Sequence, residues 1–257
     1  MTPRRCALNT LQLFPPLRRV LFCVCSHYCC APAVPDCPQS TYKVWVYLNF
    51  SRLKQTRRRV ARIISGSRKV LMLTRTHERY YADEVTEVPS SCLLIQPHNH
   101  GTALAITYAL TRLRQMDPHG IVTFFPSDHH FANHEAFITH IDFAFAQAVS
   151  HPERVILLGI EPEAPEEAYG WIEPGSPLAG KSGAFISEVN RFWEKPSRRI
   201  ASRLMRRGCL WNSFVMVGAV HAFITMIRHT LPNLLACFES MCATMTPGME
   251  PWPTAWE

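Results

Sequence analysis

The stretch FFPSDHH, Phe124 to His130, sets an acidic side chain directly behind an apolar run. The preceding residues, Ile121 to Phe125, indicate a short buried strand that Pro126 ends. In open α/β sheets, ligands bind beyond the carboxyl ends of the strands. A carboxylate at that place, here Asp128, can hold a hard cation against phosphate oxygens. The alternative is that Asp128 is a turn or helix-cap residue, and its position alone does not decide between the two.

Strands and helices that could position such a site alternate along the chain. Continuous apolar runs predict strands at 69–74, 92–96, 121–125 and 154–160, and later strand-like segments follow at 166–175, 186–197 and 210–218. Helical periodicity predicts helices at 102–116, from about 133 to 151, at 197–208 and at 220–229. Buried strands that alternate with helices are typical of a parallel sheet covered on both faces, so the predicted fold class is α/β.

Composition limits the classes of protein to which the chain can belong. Its 257 residues are 47% hydrophobic and 18% charged, which is an ordinary globular composition. Because no run approaches the roughly 20 apolar residues that span a bilayer, and no signal-peptide pattern is found, we expect a cytoplasmic protein without a membrane partner. The ten cysteines show no zinc-site spacing, and we interpret them as free thiols.

The sequence divides into three predicted parts. Residues 1–47 are rich in Cys, Pro and Arg and are predicted to be an irregular segment, 48–232 to form the folded core, and 233–257 to be an irregular tail. The formal charge of +7 suits a phosphorylated ligand. The basic cluster from Arg52 to Arg62 is interpreted as a solvated helix face, with a nucleic-acid patch as the alternative.

Five short blocks occur in order along the core: QPHNHGTALAI, FFPSDH, LLGIEPEAPEEAYGWIEPG, RFWEKP and GCLWNSFVMV. In this order and spacing they resemble the bacterial mannose-1-phosphate guanylyltransferases of the sugar nucleotidyltransferase superfamily. The resemblance runs from about Leu53 to Leu231, which is most of the chain. It implies a nucleotidyltransferase core at 48–232 with the nucleotide-diphospho-sugar transferase fold, a Rossmann-like, mostly parallel sheet with helices on both faces, incomplete at the N-terminus.

The resemblance implies an enzyme that forms GDP-mannose and pyrophosphate from GTP and mannose-1-phosphate, with Mg²⁺ as its cofactor. It implies Asp128 as the magnesium ligand, and Asp128 and Lys195 as the catalytic residues. The implied nucleotide-binding residues are Gln96, Gly101, Thr102, Pro126 and Ser127, and the implied sugar-phosphate-binding residues are Gly170, Glu194, Lys195 and Asn212. These residue types suit their roles, because a carboxylate accepts from hydroxyls, a lysine attracts phosphate and a glycine leaves room for a ligand.

Plainer explanations exist for several of these residues. Glu194 and Lys195 could be an exposed pair before a proline-led turn, and Asn212 could be a turn residue. Trp193 and Trp211 are interpreted as core residues rather than as platforms for a sugar ring.

The family has a glycine-rich phosphate loop of the form G-G-x-G-x-R-L near its beginning. This sequence contains no glycine before Gly66, so it has no counterpart of that loop. It also has no Asp after Glu239 that could serve as a second metal ligand. Two other functions therefore stay open: a catalytically inactive sugar-nucleotide-binding protein or truncated remnant, and a basic nucleic-acid- or metal-binding protein. We do not expect a nucleic-acid partner, while a homo-oligomer is compatible with the sequence.

Overall fold

A computed structural model describes residues 69–126, 133–178 and 186–244, and the main chain of 20–25. The strands are β1 (Val20–Cys25), β2 (Leu71–Thr74), β3 (Leu93–Gln96), β4 (Ile121–Phe124), β5 (Val155–Ile160), β6 (Trp171–Pro177), β7 (Ile186–Trp193) and β8 (Leu210–Ala219). The helices are α1 (Ala82–Val85), α2 (Thr102–Met116), α3 (His134–Ser150), α4 (Arg198–Arg206), α5 (Val220–Thr230) and α6 (Pro232–Thr244), and short 3-10 helices cover Arg75–Tyr80 and Ser90–Cys92.

Six strands form one sheet in the order β4-β8-β5-β1-β7-β6, and β2 and β3 form a separate parallel pair. β8 is antiparallel to β4 and β5, while β1 is parallel to β5 and antiparallel to β7. The α/β class is confirmed, but most neighbouring strands of the sheet are antiparallel, so it is mixed rather than mostly parallel. The difference arises because β8 returns between β4 and β5, and apolar runs report burial rather than strand direction.

Two elements fall in segments for which the sequence predicts irregular structure. β1 lies within 1–47 and occupies the sheet between β5 and β7, a place that depends on pairing with distant strands. α6 covers the beginning of the segment 233–257, and its Leu235 and Phe238 are buried at helical spacing. The rest of both segments lies outside the described residues.

The two longest helices match their predicted bounds to within one residue. α2 spans 102–116 and ends before Asp117 and Pro118, which stop it locally. α3 begins after Asn133, whose side-chain oxygen accepts a hydrogen bond from the main-chain N–H of Ala136 at 3.0 Å. This is the usual N-cap geometry, so the start of α3 follows from local chemistry.

Helices pack against the sheet. α3 contacts β1, β5 and β8, and α5 contacts β8, with α2 and α6 packed against α5. Phe124 of β4 meets Phe223 of α5 edge to face, with ring centroids 5.1 Å apart. Among the helices that the structure describes, none combines the length and the apolar character needed to cross a bilayer.

Candidate functional site

The predicted metal ligand lies at a place the structure leaves undescribed. Pro126 lies shortly after β4 and is buried, but Ser127 and Asp128 fall in the gap between 126 and 133. Within the described ranges, no group of three or more His, Cys, Asp or Glu side chains could hold a metal ion. The role of Asp128 therefore stays a prediction.

The main chain brings Gly170 and Asn212 together at the edge of the sheet where β5 ends. Asn212 lies opposite Gly159 in the β5–β8 ladder, and its main-chain N–H donates to the Gly170 carbonyl at 2.8 Å. Between Leu157 and Gly159 the register shifts, and the Ser213 hydroxyl donates to the Leu158 carbonyl at 2.6 Å. This β-bulge fixes the start of β8 against the end of β5.

The Asn212 side chain has a defined orientation. Its Oδ1 accepts a hydrogen bond from the main-chain N–H of Phe214 at 3.0 Å, and only the oxygen of the amide can accept from an N–H. The Asn212 oxygen therefore stabilises the main chain at Phe214 within β8, so Asn212 is a strand residue rather than the turn residue of the plainer explanation. Its Nδ2 is left to donate elsewhere, because in the described part of the chain nothing accepts from it.

Glu194 lies over the main chain of Gly170. A Cβ atom added to Gly170 would stand 2.6 Å from Cζ of Phe192 and 3.3 Å from Oε2 of Glu194, so a side chain at this position would force the Phe192 ring to move. Oε2 of Glu194 is buried, and none of the described residues hydrogen-bonds to it. Such an unpaired buried acceptor costs about 1–3 kcal/mol, and a ligand hydroxyl would remove that penalty.

Burial raises the pKa of Glu194, while the neighbouring Lys195 ammonium opposes the shift. Lys195 is exposed and adopts a left-handed φ of 41°, directly before the buried Pro196. A non-glycine residue rarely adopts this conformation. An exposed pair thus describes Lys195 but not Glu194, whose Oε2 is enclosed.

A buried carboxylate that the sequence did not single out supports the hairpin leading to Glu194. Glu173 of β6 is 7% exposed and accepts hydrogen bonds from the Trp193 indole at 3.0 Å, from Asn190 and from the Arg207 guanidinium. These bonds tie β6 to β7 and to the end of α4. The only sequence signal for this role is that Glu173 stands inside the apolar stretch WIEPG. Its hydrogen-bond partners lie too far along the sequence to be inferred.

The tryptophans near the site belong to the packing beneath it. Trp193 and Trp211 are partly buried against a small core cluster that includes the fully buried Trp171. Trp211 meets Trp171 edge to face at 6.2 Å and the exposed Tyr169 at 5.0 Å between ring centroids. This packing agrees with their interpretation as core residues.

Thr102 faces the same region from the start of α2. Thr102 and Asn212 line one apolar pocket between α2, α5 and β8. Gly101 precedes the helix with a φ of 95°, which favours glycine, and its N–H donates to Asn99 Oδ1 at 3.0 Å. The pocket therefore joins one residue predicted for the nucleotide to one predicted for the sugar.

Gln96 is held apart from this group. It ends β3, and its Nε2 donates to Thr74 Oγ1 of β2 at 2.8 Å, with the side chain 2% exposed. Its Oε1 is buried and has no hydrogen-bond partner in the described ranges. The structure therefore brings Gly170, Glu194 and Asn212 together, with Thr102 across the pocket, and leaves Gln96 on the separate β2–β3 pair.

Known proteins similar to this chain share both sequence and fold with it. Residues 43–256 match the family described as Nucleotidyl transferase. Over 187 residues the chain is 28% identical to Mannose-1-phosphate guanylyltransferase 2 of Escherichia coli O157:H7, which covers 68% of this chain and 38% of that protein. Over 161 residues it is 29% identical to Mannose-1-phosphate guanylyltransferase ManC of Salmonella typhimurium, 62% of this chain and 33% of that protein. The chain thus spans less than half the length of these curated relatives.

Two solved structures resemble the fold. A mannose-1-phosphate geranyltransferase from Thermus thermophilus has a TM-score of 0.70 at 22% identity, over 81% of this chain and 66% of that chain. A mannose-6-phosphate isomerase from Helicobacter pylori has a TM-score of 0.63 at 19% identity, over 77% of this chain and 78% of that chain. At these identities the likeness concerns the fold alone, and it confirms the α/β fold class expected from the sequence.

Proposed function

The chain belongs to the nucleotidyl transferase family, and from that premise we propose that it transfers a nucleotidyl group from a nucleoside triphosphate to a sugar 1-phosphate. In finer detail, we propose GTP and mannose-1-phosphate as substrates and GDP-mannose and pyrophosphate as products, after the relatives that carry this name. The observation that carries the proposal is the convergence of Gly170, Glu194 and Asn212 at one edge of the sheet.

A sugar at this edge meets one acceptor and one donor. Oε2 of Glu194 accepts from a sugar hydroxyl, and Nδ2 of Asn212 donates to a sugar oxygen. Gly170 keeps the space between them open, since any side chain there would strike Phe192 and approach Glu194. An acceptor and a donor held by paired strands fix the orientation of the ring as well as its position.

The phosphate of the sugar lies beside Lys195 in this proposal. Lys195 follows Glu194 directly and is exposed, so its ammonium is available to a phosphate oxygen. In the reaction, an oxygen of the sugar phosphate forms a bond to the α-phosphorus of the triphosphate. The bond from that phosphorus to the bridging oxygen breaks, and pyrophosphate leaves. Such transfers depend on positioning and on charge neutralisation, which is the part we assign to Lys195.

The nucleotide side of the proposal rests mainly on the family. We propose Gln96, Gly101 and Thr102 with Pro126 and Ser127 as the nucleotide-binding residues, and Mg²⁺ held by Asp128 as the cofactor. Gln96 supports this in one respect, because its buried Oε1 lacks a partner among the described residues and could accept from a nucleobase.

The test is release of pyrophosphate by the purified chain with GTP, mannose-1-phosphate and Mg²⁺. We expect release by the wild type and a loss of about 10²-fold or more in Asp128→Ala. Asp83→Ala removes an exposed Asp of α1 and should keep the wild-type rate. Equal rates in Asp128→Ala and Asp83→Ala would contradict the role of Asp128. Binding of GDP-mannose without any release would instead support an inactive sugar-nucleotide-binding protein.

A further inference from the structure

An apolar pocket opens beside the proposed sugar site, between α2, α5 and β8. Its floor includes Leu157, Phe223 and Ile227, which are at most 2% exposed. Its mouth is formed by partly exposed residues, among them Asn212 and Phe214. Asn212 thus borders both the sugar site and the pocket.

The polar atoms around the pocket are already engaged or stand at its mouth. The hydroxyl of Thr107, a buried residue of α2, donates to the Ala103 carbonyl at 2.8 Å. The Asn212 oxygen accepts from the Phe214 N–H at 3.0 Å. The walls therefore present hydrocarbon, and a hydroxyl pushed into the pocket would lose its water without gaining a partner.

Phe214 occupies a conformation that a bulky side chain rarely adopts. Its φ is 56°, in the left-handed region. Hydrogen bonds on both sides hold it there, from the Phe214 N–H to Asn212 and from the Val215 N–H to the Ser213 hydroxyl at 3.1 Å. The chain thus keeps a strained aromatic residue at the pocket mouth next to the amide that we assign to the sugar, and such strain is concentrated at functional sites.

We infer that this pocket receives an apolar substituent of the sugar, so that the preferred acceptor is a hexose 1-phosphate carrying a methyl or short acyl group in place of one hydroxyl. The inference rests on the proposed function. A ring held by Asn212 presents one edge to the pocket, where a methyl group gains burial and a hydroxyl is left unpaired. A difference of about tenfold or more in kcat/KM is what one such group produces in an apolar pocket.

The experiment compares kcat/KM for pyrophosphate release with three acceptors: mannose-1-phosphate, 6-deoxymannose-1-phosphate and N-acetylmannosamine-1-phosphate. We expect at least one substituted sugar to exceed mannose-1-phosphate by about tenfold or more. Ile106→Phe, which fills the pocket from α2, should remove this advantage. Equal or lower values for both substituted sugars overturn the inference, as does an advantage that survives Ile106→Phe.

Two further variants keep the test independent of folding. Ile106→Ala enlarges the pocket and should shift the preference towards the larger acyl group. Ile141→Ala truncates a buried isoleucine of α3 outside the lining of the pocket. It should lower stability without changing the ratios of kcat/KM between the substituted sugars and mannose-1-phosphate. If no sugar phosphate yields pyrophosphate, the proposed function fails and this inference with it. If all three react equally, the function stands and only the inference is overturned.

Discussion

The two sides of the proposed site are held in different ways. On the sugar side, Gly170, Glu194 and Asn212 lie in or directly beside β6, β7 and β8, and β6 pairs with both other strands. On the nucleotide side, Gln96 ends a strand of the separate β2–β3 pair, and Thr102 begins a helix. Strand pairing fixes the distances between residues that are far apart in sequence. Single substitutions are therefore expected to disturb the geometry of the sugar side more than that of the nucleotide side.

The largest effect is expected at Gly170. In Gly170→Ala the new methyl group would meet Phe192 at 2.6 Å, so we expect a loss of about 1–3 kcal/mol in the free energy of unfolding and loss of sugar-phosphate binding. Gly101→Ala is the matched substitution on the nucleotide side, where a Cβ meets nothing within 4 Å and only the φ of 95° causes strain. Denaturation measures the stability of the two variants, and calorimetry measures how well each binds mannose-1-phosphate. Unchanged sugar binding in Gly170→Ala would contradict the assignment of Gly170 to the sugar side.

A second prediction concerns the solvent accessibility of Cys209 in the packing beneath the sugar side. Burial raises the pKa of the Cys209 thiol to about 11, with the Glu173 carboxylate adding to the shift and Arg207 opposing it. Relative to the usual 9.0, this lowers the thiolate fraction about 100-fold, and the thiolate is the reactive form. We expect iodoacetamide at pH 8 to label the exposed Cys237 and to spare Cys209, as read by mass spectrometry. Equal labelling of both would show that this packing opens in solution.

A third prediction follows from the raised pKa of Glu194. Because burial disfavours its ionised form in the folded protein, the wild type loses stability as pH rises from the ordinary glutamate range through the raised folded-state value. Glu194→Gln lacks this loss, so at pH 7 we expect it to be at least as stable as the wild type while binding the sugar phosphate about tenfold more weakly.

The control for Glu194→Gln is Glu167→Gln, which changes an exposed carboxylate of the loop before β6. It should alter neither the sugar binding nor the dependence of stability on pH. A Glu194→Gln variant that is less stable than the wild type throughout pH 4–7 would show that the Glu194 carboxylate has a hydrogen-bond partner within the protein and is not free to accept from a ligand.

The smallest effect is expected far from both sides. Glu239 of α6 accepts from Arg114 of α2 at 2.7 Å and from Arg228 of α5 at 3.1 Å, and the hydrogen bond from Arg114 is the main cause of its lowered pKa. Glu239→Gln should cost less than about 1 kcal/mol at pH 7 because the groups are partly exposed. The cost should vanish as pH falls through the lowered folded-state value, where the wild-type carboxyl is protonated. Sugar binding should not change.

The helices of the core could be predicted from sequence because their signals are local. The apolar period of α2, its stop at Asp117 and Pro118, and the cap of α3 at Asn133 all lie within a few residues of the elements that they define. The mixed order of the sheet could not, because the return of β8 between β4 and β5 depends on pairing between distant segments. The same holds for β1, whose neighbours β5 and β7 follow it by more than a hundred residues.

The candidate site shows the same division. Gly170, Glu194 and Asn212 were predicted from motifs, but their meeting results from the pairing of β8 with β5 and β6. Glu173 was missed because a carboxylate in a strand has no local signature of its partners, and Arg207 approaches from a different element. The pocket next to Asn212 likewise arises only once α2, α5 and β8 are packed together.

The most direct test of the account is binding of mannose-1-phosphate to Asn212→Asp. This substitution keeps an oxygen for the Phe214 N–H, and so preserves that hydrogen bond within β8, while it replaces the donor Nδ2 by an acceptor. Calorimetry should show that the wild type binds and that Asn212→Asp binds about tenfold or more weakly, with an unchanged melting temperature. Equal affinity in the two proteins, or no binding by the wild type, would contradict the assignment of this edge of the sheet to a sugar phosphate.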